Sequence, residues 1–259
     1  MAIGWAAAFC TLLAVFGVGS LVVHSWALFN GGSGTSSGRE MTSDEAMAGV
    51  FLAACSTVGV SGLVWWDRRV NRFDRRPVSR PVTRCVATFA IFGVVLVIGA
   101  AIQILALASD APAERLGWAA VWTISAGFLE EPVFAALPTV IAGYFRRKML
   151  FLVPLIVFSA LSRGVMHLYQ GWERGVLAVG WGAAAAIIYA VLGSLAGLIA
   201  AHVLHNLTII AIYVTDIWIW VWGWAGVVAA AVLWSLIRRR ELIEALSPRD
   251  ATSLSLVKQ

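Results

Sequence analysis

A small set of polar residues stands out from a sequence that is otherwise strongly apolar. Its members are Glu130, Glu131, Arg163, His167, His202 and Asn206. The Arg and the first His are four residues apart, as are the second His and the Asn, so each pair shares one face of a helix. A carboxylate can remove a proton from water, imidazoles can donate to a carbonyl oxygen or a leaving nitrogen, and an asparagine amide can help to hold an oxyanion. These residue types therefore indicate attack of water on an amide.

The composition shows that a lipid bilayer must surround these residues. The chain is 60% hydrophobic and only 13% charged over 259 residues, whereas a soluble domain carries roughly 25% charged residues. Ionisable side chains within a membrane span cost several kcal/mol by insertion scales, so each one is by default a functional candidate that faces a cavity or a partner. We therefore expect an intramembrane polar cavity.

The elements that must position the polar set are membrane helices, each needing about 20 apolar residues. Seven windows meet or approach this length, and the window 175–215 is long enough for two helices with a turn at Gly193 and Ser194. We thus predict an all-α membrane protein of about eight spans. The windows are Met1–Phe29, Ala46–Trp66, Cys85–Ser109, 116–145, Met149–Ser162 extended through His167, Gly175–Thr215 and Ile217–Ile237.

The net charge of +5 reflects orientation in the membrane and does not indicate nucleic-acid binding, because the basic residues lie between the spans. Placing both termini in the cytoplasm puts most Lys and Arg inside, in agreement with the positive-inside rule. The expected location is the cell membrane, with multiple passes. The inside segments are Asp67–Arg84, Arg146–Lys148 and the tail from Arg238, and the outside basic residues are Arg39, Arg115 and Arg174.

Structural roles remain alternatives for several of these side chains. Arg163 could hold the two carboxylates together as a packing device, and this alternative is strongest for Glu131. His205 lies beside the stripe of polar residues on the seventh span but points partly elsewhere. His24 lies near the outer end of the first span and suits an interfacial position.

The motifs resemble the CAAX prenyl-protease and bacteriocin-processing (CPBP, or Abi) family of integral membrane peptidases. In that family EExxxR, FxxxH and HxxxN or HxxxD follow one another on successive membrane helices. Ala135 stands where the family has Arg, and Arg163 stands where it has Phe, so we expect a guanidinium to reach the same carboxylates from the next helix. The matching segments are Glu130-Glu131-Pro132-Val133-Phe134-Ala135, Arg163-Gly164-Val165-Met166-His167 and His202-Val203-Leu204-His205-Asn206.

The resemblance covers roughly Gly117 to Thr215 and implies an intramembrane endopeptidase that acts on a membrane-associated or hydrophobic peptide. It implies that Glu130 activates the water, that His167 assists, and that His202 and Asn206 form the oxyanion site, without a cofactor. We expect one membrane domain over residues 1–259, with helices 1–3 in 1–115, the motif-bearing core in 116–215, and the last helix and basic tail in 216–259.

Three alternatives stay open. Glu130, His167 and His202 are a ligand set that Zn²⁺ accepts, although the sequence has no HExxH helix. A proton-coupled transporter could use the same ionisable residues, and a catalytically silent scaffold or immunity protein could keep the same fold. Simple counting along the spans places Glu130 near the midplane, His167 toward the outside and His202 nearer the inside. The peptidase hypothesis requires the three to meet.

Overall fold

Long apolar helices make up most of the chain that the structure describes. The computed structural model describes residues 2–31, 42–70, 80–106, 117–145, 148–215 and 219–246, and every regular element within these ranges is helical. Eight of the helical stretches are long and apolar enough to cross a membrane, which confirms the predicted fold class and number of spans. They are Gly4–Trp26, Ser43–Trp66, Pro81–Ile102, Ala120–Gly143, Met149–Gln170, Trp172–Leu192, Leu195–Ile212 and Ile219–Ile237.

Most spans are single α-helices, but the fourth and fifth combine an α-helix with another helical form. The fourth consists of an α-helix, a π-helical turn and a short α-helix, and the fifth ends in a 3₁₀ turn. The α-helices are α1 (Ala2–Gly31), α2 (Ser43–Val70), α3 (Pro81–Ala106), α4 (Gly117–Glu130), α5 (Leu137–Gly143), α6 (Lys148–Met166), α7 (Trp172–Leu192), α8 (Leu195–Thr215), α9 (Ile219–Ile237) and α10 (Arg239–Leu246); the π turn is Glu131–Ala136 and the 3₁₀ turn Leu168–Gln170.

The fourth span lies at the centre of the bundle. Two-thirds of it is buried (67%), against 11% of the last span. Its π turn joins two apolar cores: Val133 and Phe134 belong to a core with α1, α2 and α6, whereas Ala135 and Ala136 pack into the core of α3, α7, α8 and α9. Side chains on this turn are therefore surrounded by protein and not by lipid.

Two prolines account for the irregular backbone of the fourth span. Proline has no N–H, so Pro132 cannot donate to the carbonyl of Phe128 and Pro138 cannot donate to that of Phe134, each four residues earlier. Between them the backbone takes the wider π spacing, in which Leu137 N–H donates to Pro132 O. The window 116–145 predicts one membrane span here and does not show the change of helical spacing. The change arises because a π turn absorbs the missing bonds.

Hydroxyl groups from neighbouring helices satisfy the freed carbonyls. Thr57 Oγ1 donates to Phe128 O at 2.8 Å, and Ser159 Oγ donates to Phe134 O at 2.7 Å. Ser56 Oγ also donates to a carbonyl of this region, Leu129 O, at 2.7 Å. Buried backbone carbonyls need such partners in a bilayer, so α2 and α6 stabilise the irregular turn that carries the carboxylates.

The turn predicted at Gly193 is present between α7 and α8. Gly193 has φ +65° and its N–H donates to Tyr189 O, so it ends α7 in the left-handed conformation that favours glycine. This turn carries no charge in its own sequence. The buried side chain of Arg84, from the first turn of α3, reaches it and donates through Nε to Leu192 O, so another helix brings a cation to the turn.

The predicted orientation and domain boundaries depend largely on segments outside the described residues. These include 32–41, 71–79, 107–116, 146–147 and 247–259, which hold the boundary at 115/116 and much of the basic loops. Both therefore stay predictions. At the end of α9, the described part of the tail forms α10, which is joined to the start of α3 by ion pairs of Arg80 with Glu241 and Glu244.

Candidate active site

Glu130 and Glu131 lie where α4 passes into the π turn and are both buried. Glu130 is 4% exposed and Glu131 is fully enclosed. The two carboxylates differ in their remaining freedom. Oε2 of Glu131 is enclosed without a hydrogen-bond partner among the described residues, whereas the contacts of Glu130 with Arg163 and His167 are made by its Oε2. Oε1 of Glu130 takes no part in these contacts.

Arg163 lies on α6, in the next membrane span, and binds both carboxylates. Its Nε donates to Glu130 Oε2 at 3.0 Å, and its Nη2 contacts the same oxygen at 3.0 Å and Glu131 Oε1 at 2.8 Å. The side chain is 1% exposed. The expectation that a guanidinium reaches the carboxylates from the next helix in place of the arginine absent at Ala135 is thus confirmed.

His202 on α8 contacts Glu131 and Arg163, the two most deeply buried members of the cluster. Its Nδ1 lies 2.7 Å from Glu131 Oε1 and 3.3 Å from Arg163 Nη2. A separation of 2.7 Å between a ring nitrogen and a carboxylate oxygen requires a proton between them. Glu131 therefore fixes the orientation of this imidazole and leaves its Nε2 as the nitrogen that can act on another molecule.

His167 approaches the opposite carboxylate from the end of α6. Its Nε2 lies 3.5 Å from Glu130 Oε2, and its side chain is 17% exposed, more than that of any other member of the cluster. The residue sits at the junction of α6 with the 3₁₀ turn, with φ −95° and ψ −1°. Counting along the spans had placed His167 and Glu130 at different depths, yet the structure brings them into contact.

Asn206, His205 and His24 lie outside the hydrogen-bonded cluster. Asn206 Nδ2 donates to the carbonyl of Thr123 on α4 at 2.6 Å, which ties α8 to α4 but does not join the carboxylates. His205 is buried beside Trp181 and Trp224. His24 is exposed on α1. The structure therefore brings together five of the six residues selected from the sequence.

Three glycines at two helix crossings, α4 with α8 and α6 with α7, allow the cluster to form. A Cβ on Gly127 of α4 would lie 2.8 Å from Val203 Cγ2 and 3.4 Å from His202 Cβ; one on Gly182 of α7 would lie 3.1 Å from Arg163 Cδ. A Cβ on Gly164 would lie 2.9 Å from the backbone oxygen of Gly175. Small residues commonly permit such close approach of membrane helices, and here they seat α7 and α8 against the polar residues.

Sequence reasoning missed the side chains that support the cluster from outside it. They are hydroxyls and amides that occur many times in any sequence: Ser25, Ser56, Thr57, Ser159 and Gln170. The prolines gave a usable signal, since each marks the carbonyl four residues before it as needing another donor. Which hydroxyl supplies that donor depends on helix packing, which periodicity does not define.

The cluster as it stands does not fit a metal ion. No group of three or more His, Cys, Asp and Glu side chains in the described part of the chain is arranged to hold one. The Arg163 guanidinium contacts Glu130, Glu131 and His202, and so presents a fixed cation to Glu130 and His202, two of the three donors of the zinc alternative.

The comparison with protein families agrees with the geometry. Residues 112–208 match the family described as type II CAAX prenyl endopeptidase Rce1-like, which confirms the resemblance seen in the motifs. The matched segment contains every residue of the cluster and indicates a CAAX-type intramembrane protease. Neither the curated proteins nor the solved structures gave a match.

Proposed function

We propose that this protein is a glutamate-type intramembrane endopeptidase that hydrolyses a membrane-associated or hydrophobic peptide with water activated by Glu130. The observation that carries the proposal is the geometry of the carboxylate pair. Arg163 bridges Glu130 and Glu131, and each carboxylate faces one imidazole, His167 at 3.5 Å and His202 at 2.7 Å. The family match over residues 112–208 supports the same reaction class.

Glu130 is the better general base of the two glutamates. One of its oxygens is held by Arg163, which fixes the carboxylate, while Oε1 remains free to accept a proton from water. Both polar contacts of Glu131, in contrast, are made by its Oε1, and its Oε2 is enclosed. Glu131 accordingly positions Arg163 and His202 and does not contact the substrate.

The charges of the cluster suggest how His202 stabilises an oxyanion. With both glutamates ionised and Arg163 charged, the buried group carries one net negative charge, and isolated buried charge is costly. His202 donates through Nδ1 to Glu131, which offsets part of this cost, and its Nε2 is the ring nitrogen left to contact the oxygen of a tetrahedral intermediate. Nε and Nη2 of Arg163 are directed to the carboxylates, whereas its buried Nη1 has no hydrogen-bond partner among the described residues.

The proposed reaction follows from these positions. The water oxygen bonds to the peptide carbonyl carbon while its proton moves to Glu130, and the carbonyl oxygen becomes an oxyanion near His202. The C–N bond then breaks, and the leaving nitrogen takes a proton through His167, whose Nε2 faces Glu130 Oε2. Asn206 contributes through its bond to Thr123 O, which holds α8 against α4, and retains a second amide hydrogen that can assist at the oxyanion.

A hydrophobic peptide is the substrate class that suits this location. The cluster lies within membrane-spanning helices, and its members are 0% to 17% exposed in their side chains. A substrate must therefore enter from the bilayer or its interface, which favours a peptide that is itself apolar or membrane-anchored. Access to Glu130 is more direct from the side of His167, the most exposed member.

The test uses purified protein in detergent or nanodiscs and a quenched library of apolar peptides. We expect wild-type cleavage and a loss of at least about 10³-fold in kcat/KM for Glu130→Gln, since the general base and its charge are both removed. His202→Ala is expected to lose about 10²- to 10³-fold. Glu244→Gln, an exposed glutamate on α10, serves as the matched control and retains activity. Equal cleavage by wild type, Glu130→Gln and His202→Ala would refute the proposal.

Chelation separates this mechanism from the zinc alternative. Activity that survives exhaustive treatment with a chelator agrees with water activation by Glu130 and charge stabilisation by the protein's own cations. Activity that is abolished and then restored by Zn²⁺ would replace the metal-free mechanism with one in which Glu130, His167 and His202 bind the metal.

A further inference from the structure

We infer that Ser25 of α1 and Gln170 of the 3₁₀ turn are positioning residues that hold His167 against Glu130, an inference that rests on the proposed peptidase function. Neither belongs to the motifs by which the site is recognised. Ser25 also lies outside the segment 112–208 that matches the protease family. The first helix would then be part of the catalytic unit, in addition to its contact with lipid.

Ser25 fixes the backbone immediately before His167. Helix α6 ends at Met166, so the carbonyl of Met166 has no N–H from a following helical turn. Ser25 Oγ donates to that carbonyl at 2.9 Å, across 141 residues of sequence, and Ser25 is 5% exposed. This bond satisfies an end-of-helix acceptor in a low-dielectric setting, where leaving it unpaired is costly.

Gln170 fixes the imidazole ring. His167 Nδ1 lies 3.3 Å from Gln170 Oε1, and Gln170 Nε2 donates to the hydroxyl oxygen of Tyr169 at 2.6 Å. With the amide nitrogen on the Tyr169 side, the amide oxygen faces His167. An acceptor at Nδ1 holds a proton on that nitrogen and leaves Nε2, which faces Glu130, as the nitrogen that exchanges protons.

The segment that carries His167 needs such support because its own bonds are few. It consists of one 3₁₀ turn, closed by Gln170 N–H to His167 O and Gly171 N–H to Leu168 O, and 3₁₀ turns have poorer hydrogen-bond geometry than α-helices. Gly171 then takes φ +114°, a conformation that other residues rarely adopt. A short turn between two helices sets the position of His167, so small losses of support change its distance from Glu130.

The test compares matched substitutions on the full-length protein. Ser25→Ala removes the bond to Met166 O, and Gln170→Met removes the contacts with His167 and Tyr169. Ser25→Thr and Gln170→Glu restore an oxygen at the same place. Thr11→Ala is the control on the same helix, because the buried Thr11 hydroxyl donates only to Ala7 O within α1. We expect Ser25→Ala and Gln170→Met to lower kcat about 10- to 100-fold with KM within about twofold, since misplacement by about an ångström costs that much. The restoring variants recover most of kcat.

Amide hydrogen exchange gives a second measurement that does not depend on activity. Ser25→Ala is expected to accelerate exchange at the amides of Gln170 and Gly171 by about tenfold, because loss of one hydrogen bond loosens the turn. Thr11→Ala leaves these amides unchanged. Unchanged exchange in Ser25→Ala would overturn the inference even if no peptide substrate were found.

The outcomes distinguish the inference from the proposed function. If Glu130→Gln is inactive while Ser25→Ala and Gln170→Met keep kcat within about twofold of wild type, the positioning role is wrong and the peptidase proposal stands. If Thr11→Ala loses as much kcat as Ser25→Ala, the effect belongs to α1 packing in general and the inference fails. If Glu130→Gln cleaves as well as wild type, the proposed function itself fails.

Discussion

Replacing Arg163 tests whether a single cation holds the buried site together. Arg163→Met removes the guanidinium and keeps an unbranched apolar side chain of helical propensity similar to that of arginine. The substitution removes the donors to Glu130 Oε2 and Glu131 Oε1 and leaves two enclosed carboxylates with only imidazoles as partners. We expect loss of stability and of activity together.

The size of the effect follows from burial. Arg163 and the two glutamates have side chains between 0% and 5% exposed, and removing one partner from such a buried ion pair costs about 3–5 kcal/mol. For a chain of this length, about 2–4 °C of melting temperature is lost per kcal/mol, so Tm should fall by roughly 6–20 °C. The same change at Arg80, an exposed arginine paired with Glu244, should cost less than about 1 kcal/mol.

The assay is thermal unfolding in detergent, followed by the fluorescence of the tryptophans, for wild type, Arg163→Met, Arg163→Lys and the double variant Arg163→Met/Glu131→Gln. The double variant removes one of the uncompensated charges and should recover at least about 1 kcal/mol relative to the single variant, a coupling expected of residues in one network. Lysine keeps the charge but not the forked geometry, so Arg163→Lys should lie between wild type and Arg163→Met.

A fall in Tm no greater for Arg163→Met than for Arg80→Met would refute the reasoning, since the buried bridge would then contribute nothing. The reasoning would also be refuted if Glu131→Gln destabilised the Arg163→Met variant as much as an independent substitution would. The first result would show that the carboxylates do not depend on Arg163, and the second that Glu131 does not interact with it.

Three further predictions concern residues around the cluster. Ser159→Ala should lower the free energy of unfolding by about 1–3 kcal/mol because it leaves the Phe134 carbonyl unpaired. The control Ser235→Ala loses only a bond within α9 and should change this free energy by less than about 0.5 kcal/mol. Thermal unfolding measures both effects. Gly127→Val should push α8 from α4 and lower kcat at least about tenfold, whereas Gly180→Val, which meets open space, should not. The Arg238 guanidinium donates to Glu241 and holds the pKa of that half-buried carboxyl below its usual 4.5. A lowered pKa stabilises the fold above the unfolded value and ceases to do so as pH falls through the lowered one. The Tm advantage of wild type over Glu241→Gln should therefore be present at neutral pH and decline as the pH falls from 4.5 toward the lowered pKa, and a constant advantage across that range would contradict it.

The spans were predictable because hydropathy reports directly on transfer into lipid. The turn at Gly193 was predictable because glycine is the residue that adopts positive φ at low cost. The replacement of the arginine missing at position 135 was also predictable in outline, since a buried carboxylate pair requires a cation and Arg163 lies in the span that follows Glu130 and Glu131. These are properties of single residues or of short windows.

The rest of the site depends on contacts between helices distant in sequence. Nothing local indicates that Asn206 donates to Thr123 O, or that Ser25 donates to Met166 O 141 residues away. The π turn is partly predictable from the sequence. Pro132 and Pro138 show that two backbone donors are missing, but they do not define how the backbone adjusts. Periodicity gives the face of a helix, whereas contacts of this kind require its depth, rotation and neighbours.

The arginine that binds the carboxylates lies on the fifth span, whereas the family motif places it on the fourth. This difference affects more than the source of the positive charge. With alanine at position 135, the π turn packs Ala135 and Ala136 into the core of α3, α7, α8 and α9, a place that an arginine side chain would occupy only at high cost. Arg163 instead lies on α6, four residues before His167 at the end of that helix, and binds both Glu130 and Glu131. Helix α6 is thereby tied directly to the proposed base, and the turn that carries the proposed proton donor begins where this helix ends.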